Sequence, residues 1–449
     1  MRIFPFWVGA LSLLTVCAGI PRAGGQTEPG GAKPGVWALD PILGDPAFWS
    51  SDVAALTTTL KNTRFRWVSQ DKTELRAGGI PMTYLDLAVV EAVIRLPKGK
   101  PTEVFLSLYN RGDVGRINDD KFEEFVARTD AAMGTRSGVA SEDLGDALTK
   151  YGLRATSKSW IAPAFSARLD TAYSRVKEEG DNRKQDRPEY VNLTIYPPAT
   201  KKEDMLVHRK AETAEVDFKK RVQHKDNGDV LIEGVPMVDQ GKKGYCAVAT
   251  MERILRYYGS EVNQHELAQQ ANSSGNGGTN SESLVKALRG MSGKVGLHVD
   301  ERENFDTKDF IRLVDDYNRE AKKKKEPVIT LPTSGTISVA EVFAAMKVPI
   351  LREARLRNSS KTENFFKETA ATIELGQPVA WSVELGWVAE TPALPQARGG
   401  HMRLIIGYNA QKNEILYTDS WGYGHELKRM SAEDAFFITT GLYVIEPRS

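Results

Sequence analysis

At 449 residues the chain is too long for one ordinary hydrophobic core, so its length predicts two domains. Its 60 Lys and Arg against 59 Asp and Glu leave a formal charge of +1, which argues against dependence on nucleic acid or an anionic surface.

The first element is an export signal. Arg2 precedes a largely apolar stretch from Ile3 to Ile20, followed by Pro21, Arg22, Ala23, Gly24 and Gly25, with small residues suited to cleavage between Ala18 and Gly25. Residues 1–25 are therefore expected to be removed, giving a secreted or periplasmic protein that meets a membrane only if the signal stays uncleaved. A lipoprotein reading of Cys17 is the lesser one, because Val16 puts a bulky side chain where such signals prefer a small residue.

Residues 26–35 are rich in glycine and proline and read as a flexible lead-in. A domain of mixed α and β character, of unknown role, is expected over residues 36–200. Within it Arg64 to Ser69, Pro81 to Leu96 and Glu103 to Tyr109 read as strands, and Asn118 to Met133 as a charged helix with Asn118 at its N-cap. Arg111-Gly112-Asp113 has the form of an adhesion tripeptide, but a turn after the preceding strand explains it as well and is preferred. The run Pro197 to Lys202 marks the boundary, and residues 201–231 form a connecting segment with a charged helix over Glu203 to Gln223 and a turn at Asn227-Gly228-Asp229.

The second domain, residues 232–449, carries the chemistry. Cys246 opens an amphipathic helix in which Ala247, Met251, Ile254, Leu255 and Tyr258 recur at helical spacing and Gly259 is a natural stop. Ser281 to Met291, Thr307 to Lys322 and Val339 to Lys347 are further expected helices. Lys322 to Lys325 reads as a solvated helix end. Pro378 to Leu385 alternates as a half-buried strand, and Met402 to Tyr408 and Ile415 to Thr418 form a hairpin around the polar turn Asn409 to Glu414. That hairpin is expected to bring His401, at the start of one strand, beside Asp419, at the end of the other. Ser274 to Asn280 and Ala389 to Gly400 are loops able to shape a cleft.

Each of these residue types meets a chemical need. A thiol is only a few per cent thiolate at neutral pH, so a nucleophilic cysteine needs a base and a positive environment. His401 supplies the base, and the unpaired N–H groups at the head of the Cys246 helix supply part of the field. Asp419 can fix the tautomer of the histidine. Gln240, upstream of the cysteine, can donate to an oxyanion together with the Cys246 N–H. Once the signal is lost, Cys246 is the one cysteine left, an odd thiol in an oxidising compartment. A buried, inert cysteine is the commoner fate of such a residue, but these surroundings argue against it.

The order Gln240, a glycine-containing loop, Cys246 at a helix start, Gly400-His401 and then Asp419-Ser420-Trp421-Gly422 resembles the papain-like cysteine peptidases. Within them, Val235 to Gly259, with its Cys-x-x-Ala and closing Tyr257-Tyr258-Gly259, is most similar to the double-glycine, bacteriocin-processing peptidase branch. The resemblance covers about half of the chain. It implies an α+β fold with a helical part and an antiparallel sheet, peptide or protein substrates, and a thioester route with Cys246 as nucleophile, His401 as base, Asp419 as orienting residue and Gln240 as oxyanion donor. Tyr245, Gly244, Gly400 and Trp421 are the expected lining of the substrate site. Where this branch usually has an acidic residue before the cysteine and a glycine after it, the chain has Tyr245 and Ala247, and Asp419 replaces the asparagine of papain proper.

The expected activity is that of an exported cysteine endopeptidase using no cofactor or metal. The alternatives are an acyltransferase or transglutaminase-like enzyme with the same Cys-His-Asp logic, and an inert binding module; an inert copy has no chemical reason to keep all four residues. His265-Glu266-Leu267-Ala268-Gln269 lacks the second histidine of a zinc-protease helix, and no cysteine or histidine cluster has metal-ligand spacing. His208, His224 and His298 read as solvated side chains and His425 as a loop residue. Asn192, Asn272 and Asn358 begin sequons.

Overall fold

The computed structural model describes residues 36–148, 153–177, 184–206, 217–241, 245–259, 267, 297–304, 307–332 and 337–447. Among them no helix is long and apolar enough to cross a membrane. The expected helix over Ser281 to Met291, the loop Ser274 to Asn280, Gly244 and the signal segment lie outside the described residues.

The N-terminal domain is built on one sheet. Its strands are β1 (Trp37–Ala38), β2 (Arg66–Trp67), β3 (Glu74–Tyr84), β4 (Leu87–Arg95), β5 (Glu103–Asn110), β6 (Glu142–Leu148), β7 (Arg154–Ile161), β8 (Ser166–Lys177) and β9 (Lys184–Tyr196). They run in the order β1-β3-β4-β5-β9-β8-β7-β6, with β2 on β3, and all neighbours but β1 and β3 are antiparallel. The helix Asp119–Ser137 lays Phe122 and Met133 onto Leu106, Leu108, Trp160, Leu193 and Ile195. Asn118 caps it by accepting from the Lys121 N–H at 3.0 Å, as its position in the sequence suggests.

Two local features depart from expectation, and a third agrees with it. The segment read as one strand from Pro81 to Leu96 is a hairpin, because Leu85 and Asp86 both take left-handed φ angles of +51° and +59° and reverse the chain. No Asn-Gly marks that turn; a bond from the Leu85 N–H to Asp40 Oδ1 at 3.1 Å holds it from another element instead. Of Arg64 to Ser69 only Arg66–Trp67 pairs as strand. Arg111-Gly112-Asp113 begins a single helical turn, Arg111–Val114, with Gly112 buried and the Arg111 Nε 2.7 Å from Glu189 Oε2, so the tripeptide is not displayed. Asn192 of the first sequon is buried in β9.

The second domain holds β10 (Val222–His224), β11 (Asp229–Ile232), β12 (Leu297–Asn304), β13 (Val379–Leu385), β14 (Gly399–Asn409), β15 (Glu414–Thr418), β16 (Lys428–Ser431) and β17 (Thr439–Pro447). Their order is β10-β11-β14-β13-β17-β12, with β15 on β14 and β16 on β15. β10 pairs with β11, so this sheet starts inside the segment read as a connecting helix, of which Lys202–Leu206 and a short turn at Phe218–Arg221 are helical among the described residues.

β13 is central rather than half-buried. Val379, Trp381 and Val383 face a helical layer through Phe310, Leu313, Ile350 and Phe365, while Ala380 on the other face packs with Met402, Leu404 and the Cys246 helix. The helices Thr307–Lys323, Val339–Ala345, Val348–Leu356 and Ser359–Glu374 therefore cover the face opposite Cys246, not the same one. Lys322 to Lys325 ends the first of them as expected: Lys323 meets Glu320, Lys324 meets Glu353, and Lys325 has φ of +60°.

Candidate active site

Cys246 is the first residue of the helix Cys246–Tyr257, and every residue from Cys246 to Leu255 is buried. Such burial all round is what a helix wedged between a sheet and a second domain requires. One turn below the cysteine, the Thr250 hydroxyl donates to the Met402 carbonyl at 3.2 Å, fixing the helix to the strand residue next to His401. Two turns below, the buried Arg253 donates to the Pro236 carbonyl at 2.7 Å, the Asp419 carbonyl at 2.9 Å and the Thr418 hydroxyl at 2.8 Å. Burial draws its pKa down to about 9, with Asp419 opposing, so it stays charged at neutral pH. One guanidinium thus ties the Cys246 helix to both the Pro236 segment and the Thr418–Asp419 segment.

The hairpin β14–β15 brings His401 and Asp419 together as expected. His401 Nε2 lies 3.0 Å from Asp419 Oδ1, and both side chains are fully buried. Burial would raise the Asp419 carboxyl, but Arg403, His401 and Lys428 hold it well below the usual carboxylate range. An ionised carboxylate only accepts, so Nε2 carries the proton and Nδ1 of the neutral ring holds the lone pair. Nδ1 is buried and makes no hydrogen bond, which leaves it available as a base. Trp421 stacks on the imidazole at 4.1 Å and 4°, screening the His–Asp bond from water on that face.

Asp419 is the centre of an ion network that sequence reading missed. Arg403 Nε is 2.8 Å from its Oδ1 and Lys428 Nζ 3.2 Å from its Oδ2. Glu390 bridges the same two cations, 2.9 Å from each, and accepts from the Tyr417 hydroxyl. The loop Ala389 to Gly400, expected as a flap, is therefore pinned through its second residue. A signal was present: Arg403 lies two residues after His401 in an otherwise apolar strand, hence on the same face.

Gln240 is buried beside this network. Its N–H donates to the Ser420 carbonyl at 2.8 Å, and the Ser420 hydroxyl donates to its Oε1 at 2.7 Å. Of the expected lining residues, Gly400 is buried opposite Glu384 on β13 and Trp421 is partly exposed. Tyr245 is completely buried, with Asp113, Glu91 and Arg111 of the N-terminal domain around it. His425 packs its ring edge-on against Trp421 at 5.6 Å.

Cys246 is disulfide-bonded in the structure of the whole chain, unlike the single thiol expected of the processed one. Nucleophilic chemistry at Cys246 requires the reduced sulfur.

Residues 232–441 match the family described as Peptidase_C39 like. Over these residues the chain is similar to the C39-like peptidases. A similar solved structure is xylellain, a cysteine protease from Xylella fastidiosa, 12% identical, covering 52% of this chain and 89% of that one at a TM-score of 0.27. No curated protein matches the chain.

Two pH effects follow for this domain. Burial lowers the His401 pKa below its ordinary 6.5, with Asp419 opposing, so its folding stability is present above that value and is lost as pH falls. In a Cys246→Ala background, free of the thiol, unfolding free energy should start to fall below about pH 6.5 by up to ~1.4 kcal/mol per pH unit. Asp419 adds its share only below its ordinary 3.8. Urea unfolding between pH 8 and 4 checks this; the same slope from pH 6.5 to 5 after adding His401→Gln would refute it. Glu384 behaves oppositely. Burial pushes it up to about 7 from 4.5, with the Gly399 N–H opposing, so the proton is held in the folded state and stability is lost as pH rises between these values. Glu384→Gln should therefore match the wild type at pH 4 and exceed it by about 1–2 kcal/mol at pH 8 in the same titration.

Proposed function

We propose that the protein is an exported cysteine endopeptidase with Cys246, His401, Asp419 and Gln240 as its catalytic set. The observation that carries this reading is the buried His401–Asp419 pair, which leaves Nδ1 as the lone-pair nitrogen while Trp421 shields the bond. The Cys246 sulfur, its proton taken by His401, attacks the peptide carbonyl and forms a C–S bond; the Gln240 amide and the Cys246 N–H hold the oxyanion. Imidazolium returns the proton to the departing nitrogen as the C–N bond breaks. Water, deprotonated by His401, then attacks the thioester, forming the acid and freeing the sulfur. The apolar N-terminus with its small residues supports export, and processing that removes residues 1–25 also removes Cys17.

The test is covalent labelling. The reduced protein lacking residues 1–25 is incubated with a peptidyl epoxide and the adduct mapped by mass spectrometry. An adduct on Cys246 that is lost in His401→Ala is the expected result. A folded protein whose Cys246 stays unlabelled, or is labelled equally without His401, overturns the proposal.

A further inference from the structure

The N-terminal domain meets the peptidase domain at its chemistry. Near and along β3, Gln70, Glu74 and Arg76 contact three different parts of the site. The Gln70 N–H donates to Glu426 Oε1 at 2.9 Å, and Glu426 Oε2 accepts from the Gly424 N–H at 2.8 Å, so the loop after Trp421 is held from outside its own domain. Glu74 Oε2 lies 3.7 Å from Arg256 Nη1 on the nucleophile helix, which also meets Glu252 at 3.3 Å. Arg76, two residues on and thus on the same face of the strand, pairs with the buried Glu91 and reaches the turn that carries Gln240.

That turn is wedged. Asp239, which attracts Arg76, accepts the Gly241 N–H at 2.8 Å through Oδ1. A Cβ on Gly241 would stand 3.8 Å from Arg76 Nη2, and one on Gly422 would stand 3.0 Å from Asp239 Oδ2. Gln240 therefore sits between an arginine of one domain and the Asp419–Gly422 segment of the other. At the far end of the same loop, Tyr245 precedes the nucleophile and is buried beside Asp113 and Glu91. Both ends of the loop from Gln240 to Cys246 thus rest on the N-terminal domain.

We propose that the N-terminal domain is a fixed part of the catalytic unit, and that Arg76 is a positioning residue that holds the oxyanion loop through Asp239. This rests on the cysteine peptidase reading above. A removable inhibitory segment is the contrary arrangement, and it predicts the opposite sign: loosening the contact should raise activity. Buried charge contacts of this kind act with little screening, and an oxyanion donor displaced by a fraction of an ångström loses most of its effect.

Two reagents separate oxyanion geometry from thiol reactivity. Acylation of Cys246 by p-nitrophenyl acetate passes through a tetrahedral oxyanion before the C–O bond to nitrophenolate breaks. Alkylation by iodoacetamide forms the C–S bond as iodide leaves and has no oxyanion. In the full-length protein reduced with a phosphine, Arg76→Ala should slow acylation about ten- to hundred-fold while alkylation stays within about twofold, and Arg76→Lys should recover most of the loss. If Arg76→Ala does not fold, Asp239→Asn tests the same link and leaves the Arg76–Glu91 pair in place. Acylation unchanged or faster in the variant, or acylation and alkylation falling together, overturns the inference. A wild type that is neither acylated nor alkylated in a His401-dependent way overturns the underlying peptidase reading instead.

Discussion

Asp419→Asn is expected to slow peptide hydrolysis by about 10²–10³-fold and to destabilise the protein by ~2–4 kcal/mol. Papain proper has asparagine at the corresponding position, so the reason lies in the neighbours this chain supplies. Asp419 Oδ1 faces His401 and Arg403, and Oδ2 faces Lys428. With the amide oxygen toward His401, the amide nitrogen points at the Lys428 ammonium, donor against donor in a buried site. With the amide reversed, its N–H groups face Nε2, which must then become the acceptor. The proton moves to Nδ1, and the base for Cys246 is lost. Either arrangement also leaves the buried Arg403 and Lys428 to share the single carboxylate of Glu390. Urea unfolding and hydrolysis of labelled casein by the reduced protein measure both effects; a variant within about threefold of wild-type activity would show that the carboxylate does not set the tautomer.

The second large effect concerns Arg403. Arg403→Met should destabilise the protein by ~3–5 kcal/mol, because it leaves the buried Asp419 and Glu390 carboxylates to share Lys428. For a domain of this size that corresponds to a fall in Tm on the order of 10 °C. The methionine keeps much of the apolar stem but loses the guanidinium that lies 4.8 Å from the Tyr417 ring centroid and 5.7 Å from that of Trp381. The double variant Arg403→Met/Glu390→Gln removes one of the stranded charges, so it should recover about half of the loss, a coupling that a double-mutant cycle resolves. Unfolding by heat and by urea gives the comparison. Additive losses in the double variant would mean that Glu390 and Arg403 act independently despite their contact at 2.9 Å.

What was legible without the structure is local. Cys246 at a helix head, the hairpin Met402 to Thr418 and the neighbourhood of His401 and Asp419 depend on helical spacing, strand alternation and a short polar turn, all properties of adjacent residues. The N-cap at Asn118 and the lysine-rich helix end belong to the same class. The hairpin β3–β4 was not legible, since its turn lacks a glycine or asparagine signal and is held by Asp40, 45 residues away. Strands β6 to β9 went unread because Arg154–Ile161 and its neighbours mix polar and apolar residues, and their burial is set by the helix Asp119–Ser137 lying over them.

The sequence by itself determined that Cys246 heads a helix and that His401 meets Asp419, because each placement follows from a local pattern of adjacent residues. The tertiary structure decided which cations hold Asp419, that the Ala389 to Gly400 loop is pinned at Glu390, that β13 is covered on both faces, and that Arg76 and Tyr245 join the two domains at the oxyanion loop. Those outcomes depend on residues in different elements, from Asp419 and Lys428 on neighbouring segments to Arg76 and Asp239 in different domains. Charges on separate elements share no periodicity that reveals their pairing until packing brings them together in a site without water.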